Sequence, residues 1–453
     1  MALALREYPL RYFEMGAEPS RGLLHDIGAV LGSRVAVLFF TVATSIVIAR
    51  LLGPEGKGAI SALLVYPTLM VSLAEFGIRQ VVVLEVGRKV YSQSQVIGAT
   101  LFLYVVNSVL GVAVVVIALT EISKSSFAAE YVLIAALLVP IQLAHKYASG
   151  VVLGSNKIAA FSFVTWLAPF ATLVFTLVLV WLFRLSVLGA LLSAVLGSVV
   201  VAVCTVYFVL NIVRSNPQLD FGLVISMLKL GFGYGAALFV MSLNYRIDIA
   251  MLERLRTIGE VGQYSVGVNL AELIWQVPAA IGVVVFARSA ASRGSLEFSR
   301  AVARLYRVAL VVSILVSLLI ATLGPTVIQI FYGRDFTPAA EAMTFLLPGI
   351  VAMIAHKVLN MDLAGRGKPY AALFSFLPAL LANILLNLLF IPAWGANGAA
   401  VASSISYTLA AVLFLFQYRQ VTTLRLREVF AYSKADFDFL PRLAGQLISR
   451  RAR

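Results

Sequence analysis

The stretch GFGYGAALFVMSLNYRIDIAML, residues 231–252, decides how the rest of the chain is read. It is apolar over the length that a helix needs to cross a bilayer, about 20 residues. Near its centre, however, stand Asn244-Tyr245-Arg246-Ile247-Asp248. An arginine or an aspartate at mid-span costs about 2.5–3.5 kcal/mol on insertion scales. Such residues face protein or a water-filled cavity, not lipid. Charges buried elsewhere in the chain then become partners of this pair or fellow liners of one polar chamber, and transport becomes the first hypothesis.

Composition puts the whole chain in the same setting. Of 453 residues, 61% are hydrophobic and only 12% charged, with a mean hydropathy of +0.96. That excludes a soluble multidomain enzyme and predicts an all-α polytopic membrane protein. A net charge of +14 raises nucleic acid as a partner. The lysines and arginines lie between apolar runs, though, where they report orientation and contact with anionic headgroups, so no nucleic-acid partner is expected. Cys204 is the single cysteine and falls inside a span, which leaves no intrachain disulfide or cysteine metal site. Residues 1–26 mix Arg6, Arg11 and Arg21 with Glu7, Glu14 and Glu18 and have no apolar core. They read as a cytoplasmic segment, not a removed signal peptide.

Apolar runs of spanning length occur at 27–52, 57–83, 95–119, 130–153, 159–183, 186–212, 231–253, 261–287, 308–324, 338–363, 370–393 and 396–418. Twelve transmembrane helices are predicted. With the N-terminus inside, the cytoplasmic segments hold 23 of the 35 lysines and arginines, the opposite side holds 7, and 5 lie within spans. Both termini are therefore expected in the cytoplasm. The loops are too short for a catalytic domain outside the membrane. Residues 214–230 are expected to form an interfacial linker helix, and 419–453 a cytoplasmic tail.

The two halves repeat. Ala144-His145-Lys146 recurs as Ala355-His356-Lys357, and Gly154-Ser155-Asn156-Lys157 as Gly365-Arg366-Gly367-Lys368, both at an offset of 211. Arg50-x-x-Gly53-x-x-Gly56 recurs as Arg256-x-x-Gly259-x-x-Gly262 at an offset of 206. Pro67 and Pro278, Pro140 and Pro348, and Pro169 and Pro378 fall in corresponding spans. Six spans per half is an even number, so the pattern predicts two six-helix bundles, 27–213 and 231–418, related by a parallel pseudo-twofold repeat. Such bundles enclose a midplane site and work by rocking against one another.

Arg34, Arg79 and Arg246 are candidates for a cationic surface that binds an anionic headgroup, since guanidinium forks match phosphate oxygens in charge and geometry. The plainer reading pairs Arg79 with Glu75 four residues before it and lets Arg34 snorkel to the headgroups. Arg246 and Asp248 project about 200° apart on a helix. One is expected in the chamber, Arg246 by preference, and the other against a neighbouring helix, with Lys357 or Lys146 as its partner. Asn244 and Asp248 share a face and also suit a coupling-ion site.

Glu272, Asp362 and Glu75 are further candidates for a coupling proton or cation, against the alternative of satisfied ion pairs. The repeated Lys146 and Lys357 each need a carboxylate or a phosphate at their depth. His145 and His356 suit proton relay or packing. Asn383 and Asn387 form an i, i+4 stripe for sugar hydroxyls or for interhelical hydrogen bonds. The Gly231–Gly235 run lacks the setting of a nucleotide fingerprint, and neither a metal motif nor a serine elbow occurs.

Three stretches carry a resemblance: ARLLGPEGKGAISALL at 49–64, RIDIAMLERLRTIGEVGQYSVGVNLAELIWQVPAAIG at 246–282, and NILLNLLFIPAWGANGAAVASSIS at 383–406. They resemble the polysaccharide biosynthesis branch of the multidrug/oligosaccharidyl-lipid/polysaccharide (MOP) flippase superfamily. The resemblance implies a V-shaped pair of bundles in the bacterial cytoplasmic (inner) membrane. It also implies alternating-access flipping of an undecaprenyl-diphosphate-linked oligosaccharide to the outer leaflet, with no cofactor beyond proton or sodium coupling. A polysaccharide polymerase and other assembly proteins are implied as candidate partners. Headgroup roles carry over to Arg34, Arg79 and Arg246 by helix and depth. Two alternatives stay open: an ion-coupled multidrug exporter, which calls for an acidic chamber, and a peptidoglycan-precursor flippase, which usually carries two more helices. A membrane-embedded glycosyl ligase or polymerase would need a large outer loop, so no enzyme is expected.

Overall fold

The computed structural model describes residues 21–88, 90–213, 216–291, 295–366, 368, 371–433 and 436. Its elements are α1 (Arg21–Glu75), α2 (Ile78–Arg88), α3 (Gln93–Ile117), α4 (Ala129–Gly154), α5 (Ile158–Thr176), α6 (Ser186–Ile212), α7 (Phe221–Leu255), α8 (Ile258–Ala271), α9 (Gln276–Ala291), α10 (Leu296–Phe331), α11 (Ala339–Ala352), α12 (Ile354–Gly365), α13 (Ala371–Thr422) and α14 (Leu426–Val429). Among the described residues no strand occurs. This is the outcome expected where the surrounding solvent leaves backbone polar groups no partners of its own.

Nine stretches in the described residues are long and apolar enough to cross a membrane. Two of them are double. α1 turns at Gly53 (φ 66°, ψ −174°), and α13 turns at Gly395 (φ 55°, ψ −130°), left-handed conformations that glycine adopts without the steric cost of a Cβ. A further span consists of α8 and α9 joined by a 3-10 turn at Glu272–Trp275. Spans 1 and 2 are thus 21–52 and 54–88, spans 3 to 7 are α3 to α7, and span 8 is α8–α9. Span 9 is α10, span 10 is α11–α12, and spans 11 and 12 are the halves of α13. The described residues therefore have the twelve-span, helical architecture read from the sequence.

Local signals explain the helix starts. Ser92 and Gln95 form a capping box at α3. Asp220, Thr257 and Ser295 each accept a backbone N–H three residues on, at the starts of α7, α8 and α10. Asp220 also settles the linker. The expected separate helix at 214–230 does not form; 221–230 are the first turns of α7, because the cap lies at Asp220 and nothing between Leu230 and Gly231 breaks the helix. Residues 1–20, most of the expected N-terminal segment, and 437–453 of the tail lie outside the described residues.

Within each bundle the repeated triplet does the same job. His145 Nδ1 contacts Thr205 Oγ1 at 2.8 Å, tying span 4 to span 6. His356 Nε2 lies 3.3 Å from the Ala410 carbonyl, tying span 10 to span 12. The His356 ring sits between Phe376 and Phe414, at centroid distances of 4.5 and 4.3 Å. Packing, rather than relay through a water-filled channel, is what these surroundings provide.

The bundles meet chiefly where α1 lies against α7 and α8. Near the end of the molecule that carries Gly53, here called the Gly53 face, the backbones approach so closely that a Cβ on Gly58 would lie 1.8 Å from the Ile258 carbonyl oxygen. Reciprocally, one on Gly262 would lie 2.0 Å from the Pro54 carbonyl oxygen. The opposite end, the Gly365 face, is the one expected to be cytoplasmic.

Polar contacts reinforce the Gly53-face seam. Glu253, only 1% exposed, accepts from Ser123 Oγ at 2.9 Å, Lys124 N at 3.0 Å, Ser125 N at 2.8 Å and Tyr66 Oη at 3.2 Å, all in the other bundle. Arg254 donates to the Ile122 carbonyl. Arg50 donates through Nε to the Phe331 carbonyl at 2.8 Å, at the C-terminus of α10, where free carbonyls favour a cation.

Candidate functional site: a cationic chamber between the bundles

A cavity of about 320 Å³ lies between spans 2, 4 and 7, lined by Thr68, Ser72, Glu75, Arg79, Lys146, Leu238, Met241, Ser242, Tyr245 and Arg246. The helical period explains the lining: 68, 72, 75 and 79 recur at three and four residues on span 2, and 238, 241, 242, 245 and 246 do so on span 7. Hydroxyls and charges share the wall with aliphatic carbons. That mixture suits a ligand that is itself polar at one end and greasy at the other.

The charges are arranged in pairs. Glu75 binds Arg79 Nε at 3.1 Å and Lys146 Nζ at 2.5 Å. Arg246 Nη2 binds Glu272 at 3.1 Å. The expected i, i+4 pair of Glu75 and Arg79 is present, and it is extended by a lysine from the fourth span. For Lys357 the expectation was a carboxylate or a phosphate. Among the described residues it has no ion-pair partner; its ammonium sits 4.2 Å from the centre of the Trp275 ring and 4.9 Å from that of Tyr245, with Tyr245 Oη at 3.3 Å. Aromatic faces hold a desolvated cation through their quadrupoles. Arg34 is half-buried, makes no ion pair among the described residues, and lies within electrostatic reach of Lys357.

The other candidates form a second, drier group. Arg246 faces the cavity, while Asp248 is buried on the opposite side of span 7. The partner expected for Asp248 was Lys357 or Lys146. Its carboxylate instead accepts from Tyr264 Oη, from Ser403 Oγ at 2.8 Å and from Ile249 N at 2.9 Å. Asn383 donates to Ser403 Oγ at 3.2 Å, Asn387 donates to Asn383 Oδ1 at 3.0 Å, and Asn244 donates to Ser406 Oγ at 2.9 Å. The two span-11 asparagines therefore do not line the chamber; they are wholly buried, with Leu385 and Leu389 on the exposed side of the same helix. Among the described residues, the Oδ1 atoms of Asn244 and Asn387 have no hydrogen-bond donor.

Asp362 is a third case. It accepts from Ser289 at 2.6 Å, Ser299 at 3.0 Å, Tyr418 at 2.8 Å and Arg366 Nε at 2.9 Å. This hub joins spans 8, 9, 10 and 12 at the Gly365 face, with every lone-pair direction in use. Sequence reading passed over Glu253, Tyr264, Trp275 and Ser403. Glu253 carried a signal, a carboxylate at the last residue of the 231–253 apolar run, but an interfacial glutamate at that place is ordinary.

Residues 23–291 match the polysaccharide biosynthesis protein family. No curated protein matches the chain by sequence. Among solved structures the chain is similar to an inward-facing multidrug resistance MATE family transporter of the MOP superfamily. The TM-score is 0.71 at 15% identity, over 87% of this chain and 98% of that one. It is similar to the lipid II flippase MurJ in an inward closed conformation, with a TM-score of 0.70 at 14% identity, over 93% and 96%. It is also similar to a MOP superfamily transporter from Pyrococcus furiosus, whose binding pocket is described as reversed in polarity, with a TM-score of 0.55 at 14% identity, over 88% and 95%. At these identities the likeness is one of fold. The family match covers more than half of the sequence and includes the chamber's spans 2, 4 and 7, so this multi-pass membrane protein belongs to the polysaccharide biosynthesis protein family.

Proposed function

We propose that this chain flips an undecaprenyl-diphosphate-linked oligosaccharide, an O-antigen, capsule or exopolysaccharide repeat unit, from the cytoplasmic to the outer leaflet of the bacterial inner membrane. The observation that carries this reading is the sign of the chamber wall. Three cations, Arg79, Lys146 and Arg246, line the cavity with one carboxylate, Glu75. A diphosphate asks for such a wall; the sugars ask for the hydroxyls of Thr68, Ser72 and Ser242, and the prenyl chain stays in lipid. A cationic drug would be repelled there. Both termini are read as cytoplasmic, and a polymerase on the outer side is a candidate partner.

Alternating access fits the seam. With the bundles joined at the Gly53 face, rocking has to break the Glu253, Arg254 and Arg50 contacts before the chamber opens on that side. For coupling, the reading favours a monovalent cation at the Asp248 group. Asn244 lies one helical turn before Asp248, and Asn387 is joined to Asp248 through Asn383 and Ser403; their buried amide oxygens, without donors among the described residues, are hard oxygen ligands of the kind such an ion takes.

The test is translocation in proteoliposomes of three fluorescent probes: an undecaprenyl-diphosphate oligosaccharide, the peptidoglycan precursor, and a cationic dye. Movement of the first above the other two is the expected result. Export of the dye alone would replace this reading with the drug-exporter one, and preference for the second would make the chain a peptidoglycan-precursor flippase.

A further inference from the structure

The carboxylates at the chamber are less exposed than the cations they neutralise. The Glu75 side chain is 7% exposed, whereas Arg79 and Lys146, both bound to it, are 35% and 32% exposed. Glu272 and Arg246 show the same order, 19% against 32%. A ligand in the cavity therefore has more of each cation's surface open to it than of the carboxylate that neutralises it. Arg79 spends only Nε on Glu75, and its terminal nitrogens make no hydrogen bond among the described residues. A guanidinium has five N–H donors, so most of its fork is left for an incoming anion.

We propose that Glu75 is an attenuating counter-ion: it fixes the direction of Arg79 and Lys146 and holds their grip on the substrate's phosphates weak enough for release. The proposal rests on the diphosphate reading above. A carrier gains nothing from binding its cargo equally tightly at every stage, since uniform binding only deepens the well from which the cargo must escape. Two bare cations on one wall would do that. One carboxylate shared between them leaves a single net positive charge while both remain pointed at the cavity. Glu75 is not needed to pin the backbones of spans 2 and 4 together, because Tyr147 Oη donates to the Ala74 carbonyl at 2.9 Å beside it.

The sign of one substitution separates this from a structural role. If Glu75 only builds the site, Glu75→Gln loosens Arg79 and Lys146 and weakens binding. As an attenuator, its removal tightens binding and slows release. The experiment measures the Kd of undecaprenyl diphosphate, without sugar, for the full chain in phosphatidylcholine nanodiscs, alongside single-turnover flipping in proteoliposomes. Glu75→Gln is expected to bind about tenfold tighter and to flip more slowly by a similar factor. Glu75→Asp, which keeps the charge, is expected to move both readouts back toward wild type. Ser72→Asp, which adds a second carboxylate to the same wall, is expected to weaken binding several-fold; it keeps the test valid should Glu75→Gln not fold. Equal or weaker binding by folded Glu75→Gln, or unchanged binding by Ser72→Asp, overturns the proposal. Absence of binding by the wild type is a different failure: it sinks the diphosphate reading itself.

Discussion

Glu253, at the end of the seventh span, accepts the backbone N–H of Ser125 from the opposite bundle at 2.8 Å. It is the centre of the contacts that hold the Gly53 face shut. Losing a charged hydrogen-bond acceptor costs about 1–3 kcal/mol, or more when several donors are stranded together.

Glu253→Gln is therefore expected to raise the population open at the Gly53 face by about tenfold or more. The check is maleimide labelling of Lys57→Cys in a Cys204→Ser background, since Lys57 is buried close to that seam. Labelling should be slow with Glu253 intact and faster in the variant. Equal rates would mean that the glycine seam alone keeps the face closed.

Asp362 behaves as a structural hub in this account. Asp362→Asn leaves Arg366 buried against a neutral partner, and breaking a buried pair in this way costs about 3–5 kcal/mol. The expected outcome is a lower unfolding temperature in detergent, with the ion dependence of transport unchanged in the molecules that remain folded. A changed ion dependence at normal stability would return Asp362 to the coupling machinery.

The segment after span 12 folds back on span 9. Asp436 accepts from Arg307 Nε and Nη2, each at 2.8 Å, and from Arg304 at 3.0 Å. The Arg307 guanidinium holds the Asp436 carboxyl well below the usual carboxylate range. A depressed carboxyl contributes its full stabilisation above the ordinary carboxylate range and loses it only as pH falls through the depressed value. Trypsin cleavage within 423–433 should therefore be as slow at about pH 5 as at about pH 7, and faster at both in Asp436→Asn. Release of the segment in the wild type at about pH 5 would contradict this.

For coupling, Asn387→Ala and Asp248→Asn remove oxygen ligands from the buried group without touching the chamber wall. Each is expected to abolish sodium stimulation of flipping while leaving the Kd for undecaprenyl diphosphate within a few-fold of wild type. Sodium stimulation that survives both changes would direct the search for the ion site elsewhere, and a proton gradient that drives the wild type without sodium would make the ion a proton.

How much of this was legible beforehand depends on range. The spans follow from uninterrupted apolar runs, and the hairpin turns at Gly53 and Gly395 lie at their boundaries. Arg246 announced itself by depth, because only a protein-lined cavity tolerates it there. Glu75 and Arg79 were readable at a spacing of four. The bond from Lys146 to Glu75 spans 71 residues of sequence, and nothing local specifies that span 4 lies beside span 2. Asp248 finds hydroxyls on Tyr264 and Ser403, residue types too common in apolar helices to stand out. Lys357 was expected beside an anion because charge was weighed without aromatic faces, and Trp275 supplies one.

The most direct test of the central claim is flipping of a fluorescent undecaprenyl-diphosphate oligosaccharide by Arg246→Ala, at insertion and fold matched to wild type. Arg246 stands mid-span on the cavity wall, and losing its charge-assisted contacts is expected to slow flipping by about tenfold or more, with part of the loss restored by Arg246→Lys. Flipping by Arg246→Ala at the wild-type rate would contradict the claim that this chamber grips the diphosphate.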